Sequence, residues 1–383
     1  MYNFVEKTMI ERILENIVQN KINNGKAIII LGPRQTGKTT LLKIVSENIK
    51  KKILFLDGDE PDVRQKITDV TSSQLKKLIG DYKIIMIDEA QLIKNIGLTI
   101  KLIVDKIKDV QVIATGSSSF DLANIINEPL TGRKFEFMLF PLSVSEMVKY
   151  HGALEESRML EHRLIYGMYP EVLTNPGKEK EILKSLTGSY LYKDIFAFQD
   201  IRKPSIIMNL LEALALQISS EVSLNEIARS LQIDSVTVER YITLLEQSYI
   251  IFRLRSFNRN LRNEIKKSRK IYFYDNGIRN AIIANYNPLN LRQDKGALWE
   301  NFLVSERQKY IHYNNIYNKV YFWRTIQQQE IDYIEESDGH LHAFEFKWSK
   351  SKNTHLPKTF SKAYPKTNYS CITKDNYLDF LLK

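Results

Sequence analysis

The chain has 383 residues, 43% of them apolar and 26% charged, and its 55 basic and 45 acidic residues leave a formal net charge of +10. That composition describes a globular chain of two or three domains and excludes fibrous and fully disordered proteins. The longest aliphatic runs, residues 27–31 and 84–87, fall far short of the roughly 20 residues of a membrane span, and the single cysteine, Cys371, excludes a disulfide framework and a thiolate metal site, which fits a reducing cytoplasm.

In chain order, residues 1–10 carry Glu6 among apolar neighbours and hold no continuous apolar stretch, so a signal peptide is not expected. Residues 27–31 suit a strand buried on both faces. Residues 39–48 read as a helix with Leu41, Leu42 and Val45 on one side. Strands follow at 53–56, closed by the Asp57-Gly58-Asp59 turn, and at 84–87 and 110–115, with helices over 74–79 and 98–107. This alternation predicts a parallel sheet with helices on both faces. Beyond Pro141 the chain reads as mostly helical to 217, broken at Tyr169-Pro170, Asn175-Pro176-Gly177 and Lys203-Pro204. Residues 221–257 read as two short helices and a strand, and from Lys270 strands return at 271–274, 320–324, 331–335 and 341–347.

The segment Gly32-Pro33-Arg34-Gln35-Thr36-Gly37-Lys38-Thr39 fits G-x-x-x-x-G-K-[ST] without departure and lies between a buried strand and a helix. In that setting backbone N–H groups and the helix N-terminus cradle phosphate oxygens. Lys38 is expected to reach the β- and γ-phosphates, Thr39 to ligate Mg²⁺, and Thr40 to adjoin the site. Arg34 is expected to face solvent. The strand at 84–87 runs into Asp88-Glu89, at the sheet edge where ligands bind. Asp88 is the expected Mg²⁺ partner, and Glu89 is expected to orient the attacking water. The strand at 110–115 leads into Gly116-Ser117-Ser118-Ser119. Two readings stay open there: Thr115 and Ser117 sense the γ-phosphate, or Ser118 or Ser119 caps a helix.

These features, with Thr131-Gly132-Arg133 and Phe140-Pro141-Leu142-Ser143, resemble the prokaryotic AAA-like ATPases that carry a C-terminal domain of unknown function. The resemblance implies ATP and Mg²⁺ as cofactors. It also implies that Arg133 acts as an arginine finger or sensor, in its own subunit or a neighbour's, which leaves oligomeric assembly open. The plain alternative is that Arg133 makes a salt bridge in an exposed hairpin.

Residues 222–231 and 236–247 have a helix-turn-helix layout, with Ser223 and Ser235 as caps and a capping box at Glu226. A wing strand over 250–257 runs into a segment, 253–270, that holds eight basic residues and one acid, Glu264. So local an excess suggests a polyanion partner such as DNA, or a solvated hairpin. Arg253, Arg255, Arg259, Arg262, Lys266, Lys267, Arg269 and Lys270 are the expected phosphate contacts. Glu239, on the second helix, would oppose phosphate.

Near the C-terminus, Glu300 begins a helix, Asp332 lies on a strand, Ser337-Asp338-Gly339 makes a turn, and Glu345-Phe346-Lys347 lies on the paired strand. Glu345 and Lys347 share a face, and a hairpin would bring Asp332 to them. Two carboxylates and a lysine around one point can hold Mg²⁺ and activate water; the plain alternative is a surface ion pair across a hairpin. The pattern resembles the PD-(D/E)XK nuclease fold, with Ile331 in place of the usual proline.

The expected architecture is α/β. A P-loop core spans 1–140, a helical lid 141–217, a winged helix 218–274 and a restriction-endonuclease-like domain 275–383. The expected function is Mg²⁺-dependent ATP hydrolysis coupled to a DNA-contacting C-terminal half, with DNA cleavage by that half left open. The alternative is a nucleotide-gated regulator or scaffold that binds a protein or DNA partner without cleavage.

Overall fold

A computed structural model of the chain describes residues 9–117, 129–190, 204–259, 269–349 and 354–383. The contacts divide these residues into two compact units. The first runs to Leu142 and includes Gln247–Tyr249; the second comprises Ser143–Glu246 and Ile250–Lys383.

The first unit is built on a five-stranded, all-parallel sheet: β1 (Ala27–Leu31), β2 (Ile53–Asp57), β3 (Ile84–Asp88), β4 (Gln111–Gly116) and β5 (Lys134–Met138), in the order β2-β3-β4-β1-β5. β1, β3 and β4 are buried along their whole length, and each carries at least three consecutive apolar residues, as suits strands covered on both faces. One core packs Ile29, Ile85 and Val112 from the sheet against Ile96, Ile100 and Ile103 of helix Ile96–Lys106 and Leu75 and Ile79 of helix Ser72–Ile79. A capping box at Thr71 and Gln74 starts the latter helix. β5 corrects the hairpin reading around Arg133: the alternating Lys134-Phe135-Glu136-Phe137-Met138 is an edge strand, parallel to β1 in the register Ala27 to Lys134.

The second unit contains a seven-stranded mixed sheet in the order β12-β11-β10-β9-β7-β8-β6. Its strands are β6 (Glu221–Val222), β7 (Ile251–Ser256), β8 (Arg269–Phe273), β9 (Lys319–Arg324), β10 (Glu330–Ser337), β11 (His340–Phe346) and β12 (Asn368–Ile372). Four units suggested themselves from the sequence, but no break in contacts falls at residue 274. β7 pairs with β8 antiparallel and with β9 parallel, so one sheet runs from the hairpin into the C-terminal strands. Helices Leu224–Leu231 and Ser235–Gln247 pack Ile227, Val238, Ile242 and Leu245 on Leu210, Leu211 and Leu214 of helix Pro204–Leu216. Ser223 caps the first of the pair. The second is capped by Asp234, not Ser235: the Asp234 carboxylate accepts from Thr237 N at 2.7 Å. Asp275 is buried; it caps helix Asn276–Ile282 and accepts from Met168 N at 2.6 Å. Burial pushes its carboxyl above the usual range.

Candidate functional site

β1 delivers the chain to the turn at 32–37, and helix Lys38–Glu47 starts directly after it. The turn needs two glycines for different reasons. A Cβ on Gly32 would stand 2.3 Å from the carbonyl oxygen of Leu139, so only glycine lets the loop pass the end of β5. Gly37 has φ +92°, and with Gln35 (φ +59°) it turns the backbone through the left-handed region ahead of the helix. Thr36 is buried, and its hydroxyl donates to the Pro33 carbonyl at 2.9 Å. Arg34 is half-buried, in place of the solvent-facing position expected of it, and Thr40 is exposed on the helix.

The Lys38 ammonium, almost wholly buried, donates to the carbonyls of Gly32 at 3.0 Å and Pro33 at 2.8 Å and so lies across the mouth of the loop. The sheet register carries the other groups to the same edge. β4 lies beside β1 with Thr115 opposite Ile30, and β3 lies beside β4 with Ile87 opposite Ala114. Asp88 therefore ends its strand within reach of Thr39, whose hydroxyl donates to Asp88 Oδ2 at 2.6 Å. The Thr115 hydroxyl donates to the other oxygen, Oδ1. Thr39 and Asp88 are hard oxygen donors side by side, the set that suits Mg²⁺, an ion that takes one or two protein ligands and keeps most of its waters. Glu89 follows in a left-handed conformation, φ +46°, uncommon for a residue with a side chain. Its carboxylate accepts from Gln91 Nε2 at 2.5 Å, and Gln91 also donates to Ser117 Oγ at 3.0 Å.

Two participants escape a reading by motif. Gln91 is one. Arg12 is the other: a buried guanidinium that donates to the Thr36 carbonyl and to the Phe140 carbonyl, each at 2.6 Å. With one bond to the loop and one to the segment just past β5, Arg12 braces the loop against its neighbour. Nothing in the spacing around Arg12 marks it, because its partners are backbone atoms 24 and 128 residues distant.

Arg133 does not join this constellation. Its carbonyl accepts from Ala27 N at 2.9 Å, which fixes it beside the start of β1, whereas the loop follows the end of β1. Five strand residues at about 3.3 Å each separate the two by roughly 16 Å. Its side chain pairs with Asp105 at 2.7 Å. A sensor role in its own subunit is thereby corrected.

The basic segment is also redistributed. Arg253 pairs with Glu239 at 2.5 Å and with Glu246, and Arg269 pairs with Glu239 at 2.6 Å. Burial pushes the Glu239 carboxyl up, but the guanidiniums of Arg269 and Arg253 bring it below the usual range. Glu239 thus neutralises the hairpin and does not oppose an external phosphate. Lys270 is 2% exposed and lies inside the protein, which corrects its reading as a phosphate contact. Arg255 is exposed, and Arg259, also exposed, stacks over Tyr364. Arg262, Lys266, Lys267, Ser118 and Ser119 lie outside the described residues.

The four nuclease-type residues gather at one place in the second unit. The β10–β11 hairpin puts Asp332 beside β11, where its Oδ2 accepts from Phe346 N at 2.8 Å. Lys347 pairs with Glu345 at 2.7 Å. Glu300, on helix Lys295–Tyr313, comes near enough that it and Glu345, together with burial, push the Asp332 carboxyl well above the usual range. The cluster has further members. Lys270 Nζ lies 2.8 Å from Glu300 and 2.5 Å from Glu330, and the Tyr272 hydroxyl donates to Glu300 at 2.7 Å. A signal for them was present: Glu330 and Asp332, like Lys270 and Tyr272, are two apart on a strand and share a face. Among the described residues, no three His, Cys, Asp or Glu side chains are arranged to hold a metal ion.

Three family models match successive stretches: an AAA domain over 24–148, a domain of unknown function (DUF8612) over 157–293, and a domain of unknown function (DUF4143) over 295–380. The chain is 25% identical over 335 residues to an uncharacterized protein of Mycobacterium tuberculosis, covering 86% of this chain and 72% of that one. It is 24% identical over 404 residues to an uncharacterized protein of Haemophilus influenzae, covering 96% and 94%. Among solved structures, a Walker-type ATPase of Pyrococcus abyssi is similar in fold, with a TM-score of 0.50 and 15% identity over 72% of this chain and 96% of that one. No described helix is long and apolar enough to cross a membrane. Residues 24–148, which match the AAA domain model, hold the 32–39 phosphate-loop motif.

Proposed function

We propose that the protein binds ATP at the 32–39 loop and hydrolyses it with Mg²⁺. The observation that carries this reading is the Thr39–Asp88 pair at 2.6 Å directly beside the buried Lys38 ammonium. Thr39 and Asp88 would hold the ion, which when bound supplies charge neutralisation at the β- and γ-phosphates. Lys38 rests on two carbonyls that a phosphate would replace as its partner. The loop N–H groups orient the triphosphate, and Glu89 accepts a hydrogen bond from the attacking water. Gln91 bonds Glu89 Oε2 and so orients the carboxylate for that water. Thr115 and Ser117, at the end of β4, stand where the γ-phosphate's presence would be felt. Arg133 acts, in this reading, only toward a neighbouring copy. The test is steady-state release of phosphate by the wild type and by Lys38→Ala; equal turnover in the two would remove the assignment.

For the C-terminal half, residues 218–274 act as a winged helix and residues 275–383 as a nuclease-like domain that contacts DNA without cutting it. Arg255 and Arg259 support this reading, since they remain exposed after the other described basic side chains of the hairpin are paired. Titration of duplex DNA at several salt concentrations tests it. A binding constant that does not change with salt would remove DNA as the partner.

A further inference from the structure

The carboxylate cluster resembles a magnesium-dependent nuclease site, yet its residues do not fit a divalent ion. We propose that the ammonium of Lys270 is the resident cation of this cluster: it takes the position a metal would need between Glu300 and Glu330, so the site binds no divalent ion and cleaves no phosphodiester.

Lone pairs come first. Glu300 Oε1 accepts from both Lys270 Nζ, at 2.8 Å, and the Tyr272 hydroxyl, at 2.7 Å, which uses the capacity of that oxygen. Glu330 Oε1 holds the same ammonium at 2.5 Å. Asp332 Oδ2 is engaged by Phe346 N, and Glu345 Oε1 by Lys347. A hard cation needs several free oxygens converging on one point, and here internal donors already hold Glu300 Oε1, Glu330 Oε1, Asp332 Oδ2 and Glu345 Oε1.

Charge points the same way. Burial pulls the Lys270 ammonium down, but Glu300, Asp332 and Glu330 around it raise it above its usual value. Glu300 and Glu330 face Lys270, Glu345 faces Lys347, and Arg324 lies 3.9 Å from both Glu330 and Glu221. A dication added here would be set against a buried ammonium. Lys270 also passes over the Phe322 ring at 5.6 Å, so its stem is packed in the sheet and cannot swing aside without opening a void. What the cluster does instead is mechanical: it clasps β8 of the hairpin to helix Lys295–Tyr313 and β10.

The test counts bound Mn²⁺ by electron paramagnetic resonance in the nucleotide-free full chain, with Asp88→Asn in every sample to silence the phosphate-loop carboxylate. The expected result is no ion bound at 1 mM Mn²⁺ (about that level) without Lys270→Met and one ion per chain with it, lost again on adding Glu300→Gln. Should Lys270→Met fail to fold, the chain with an intact Lys270 decides alone. A bound ion there that disappears with Glu300→Gln or Asp332→Asn overturns the proposal, and no bound ion supports it. A folded Lys270→Met chain that gains no ion also overturns it, because the ammonium would then not be standing in a metal's place.

Discussion

Replacing Arg12 by alanine isolates how far the phosphate loop depends on a brace outside the motif. Arg12 makes two charge-assisted bonds of 2.6 Å, to Thr36 O within the loop and to Phe140 O just past β5. Bonds of this kind contribute about 1.5–3 kcal/mol each, so about 3–6 kcal/mol ties the loop to its neighbour. Water reaching the exposed carbonyls returns part of that. If only about 1.4 kcal/mol falls on the loop's binding conformation, affinity drops about tenfold. Arg12→Ala should therefore weaken binding of a fluorescent ATP analogue by about tenfold or more. Turnover at saturating ATP should stay within about threefold, because Arg12 bonds carbonyls of the loop and its neighbour. Arg12→Lys, with one ammonium where a fork bridged two carbonyls, should fall between. Binding within about twofold of wild type, in a variant whose circular dichroism shows a native fold, would refute the brace.

Further outcomes follow from the same geometry. Glu89→Gln should keep nucleotide binding and lose at least about a hundredfold in phosphate release, the low end for a general base, as read in a single-turnover assay. Changing Arg255 and Arg259 together to alanine should lower the slope of log binding constant against log salt on DNA by about two, measured by fluorescence anisotropy; an unchanged slope would take these residues out of the interface. Asp294 is pushed up by burial but held at about 2 by Arg292 and Arg279. A depressed carboxyl stabilises the fold above its unfolded value of 3.8 and loses that contribution as pH falls toward about 2. Asp294→Asn should thus cost up to about 2 kcal/mol at pH 7, in urea unfolding of the second unit, with the difference closing between about pH 4 and pH 2.

The parts legible in the sequence are those in which local chemistry and position coincide. A buried strand, a glycine-bounded turn and a helix are consecutive in the chain, so residues 27–47 can be read directly, and Asp88 follows from a strand ending in an acid. Asp332, Glu345 and Lys347 are legible as neighbours because a hairpin is also local. The illegible parts depend on pairings distant in sequence. β5 was missed because an edge strand alternates instead of running apolar, and Arg133 was misplaced with it. The basic segment looked like one free surface because formal charge says nothing of partners: Glu239 and Glu246 lie on a helix upstream, and Glu300 and Glu330 lie 30 and 60 residues beyond Lys270. The joining of hairpin and C-terminal strands into one sheet rests on the β7–β9 pairing, between segments more than 60 residues apart, and composition carries no trace of it.

The central claim is that the loop at 32–39 grips a magnesium-bound triphosphate. The most direct measurement is calorimetric titration of MgATP into the wild-type protein and into Lys38→Ala. One site per chain in the wild type, with affinity lost or weakened at least about a hundredfold in the variant, is the result expected. Equal binding by the two proteins, or none by the wild type, would contradict the account.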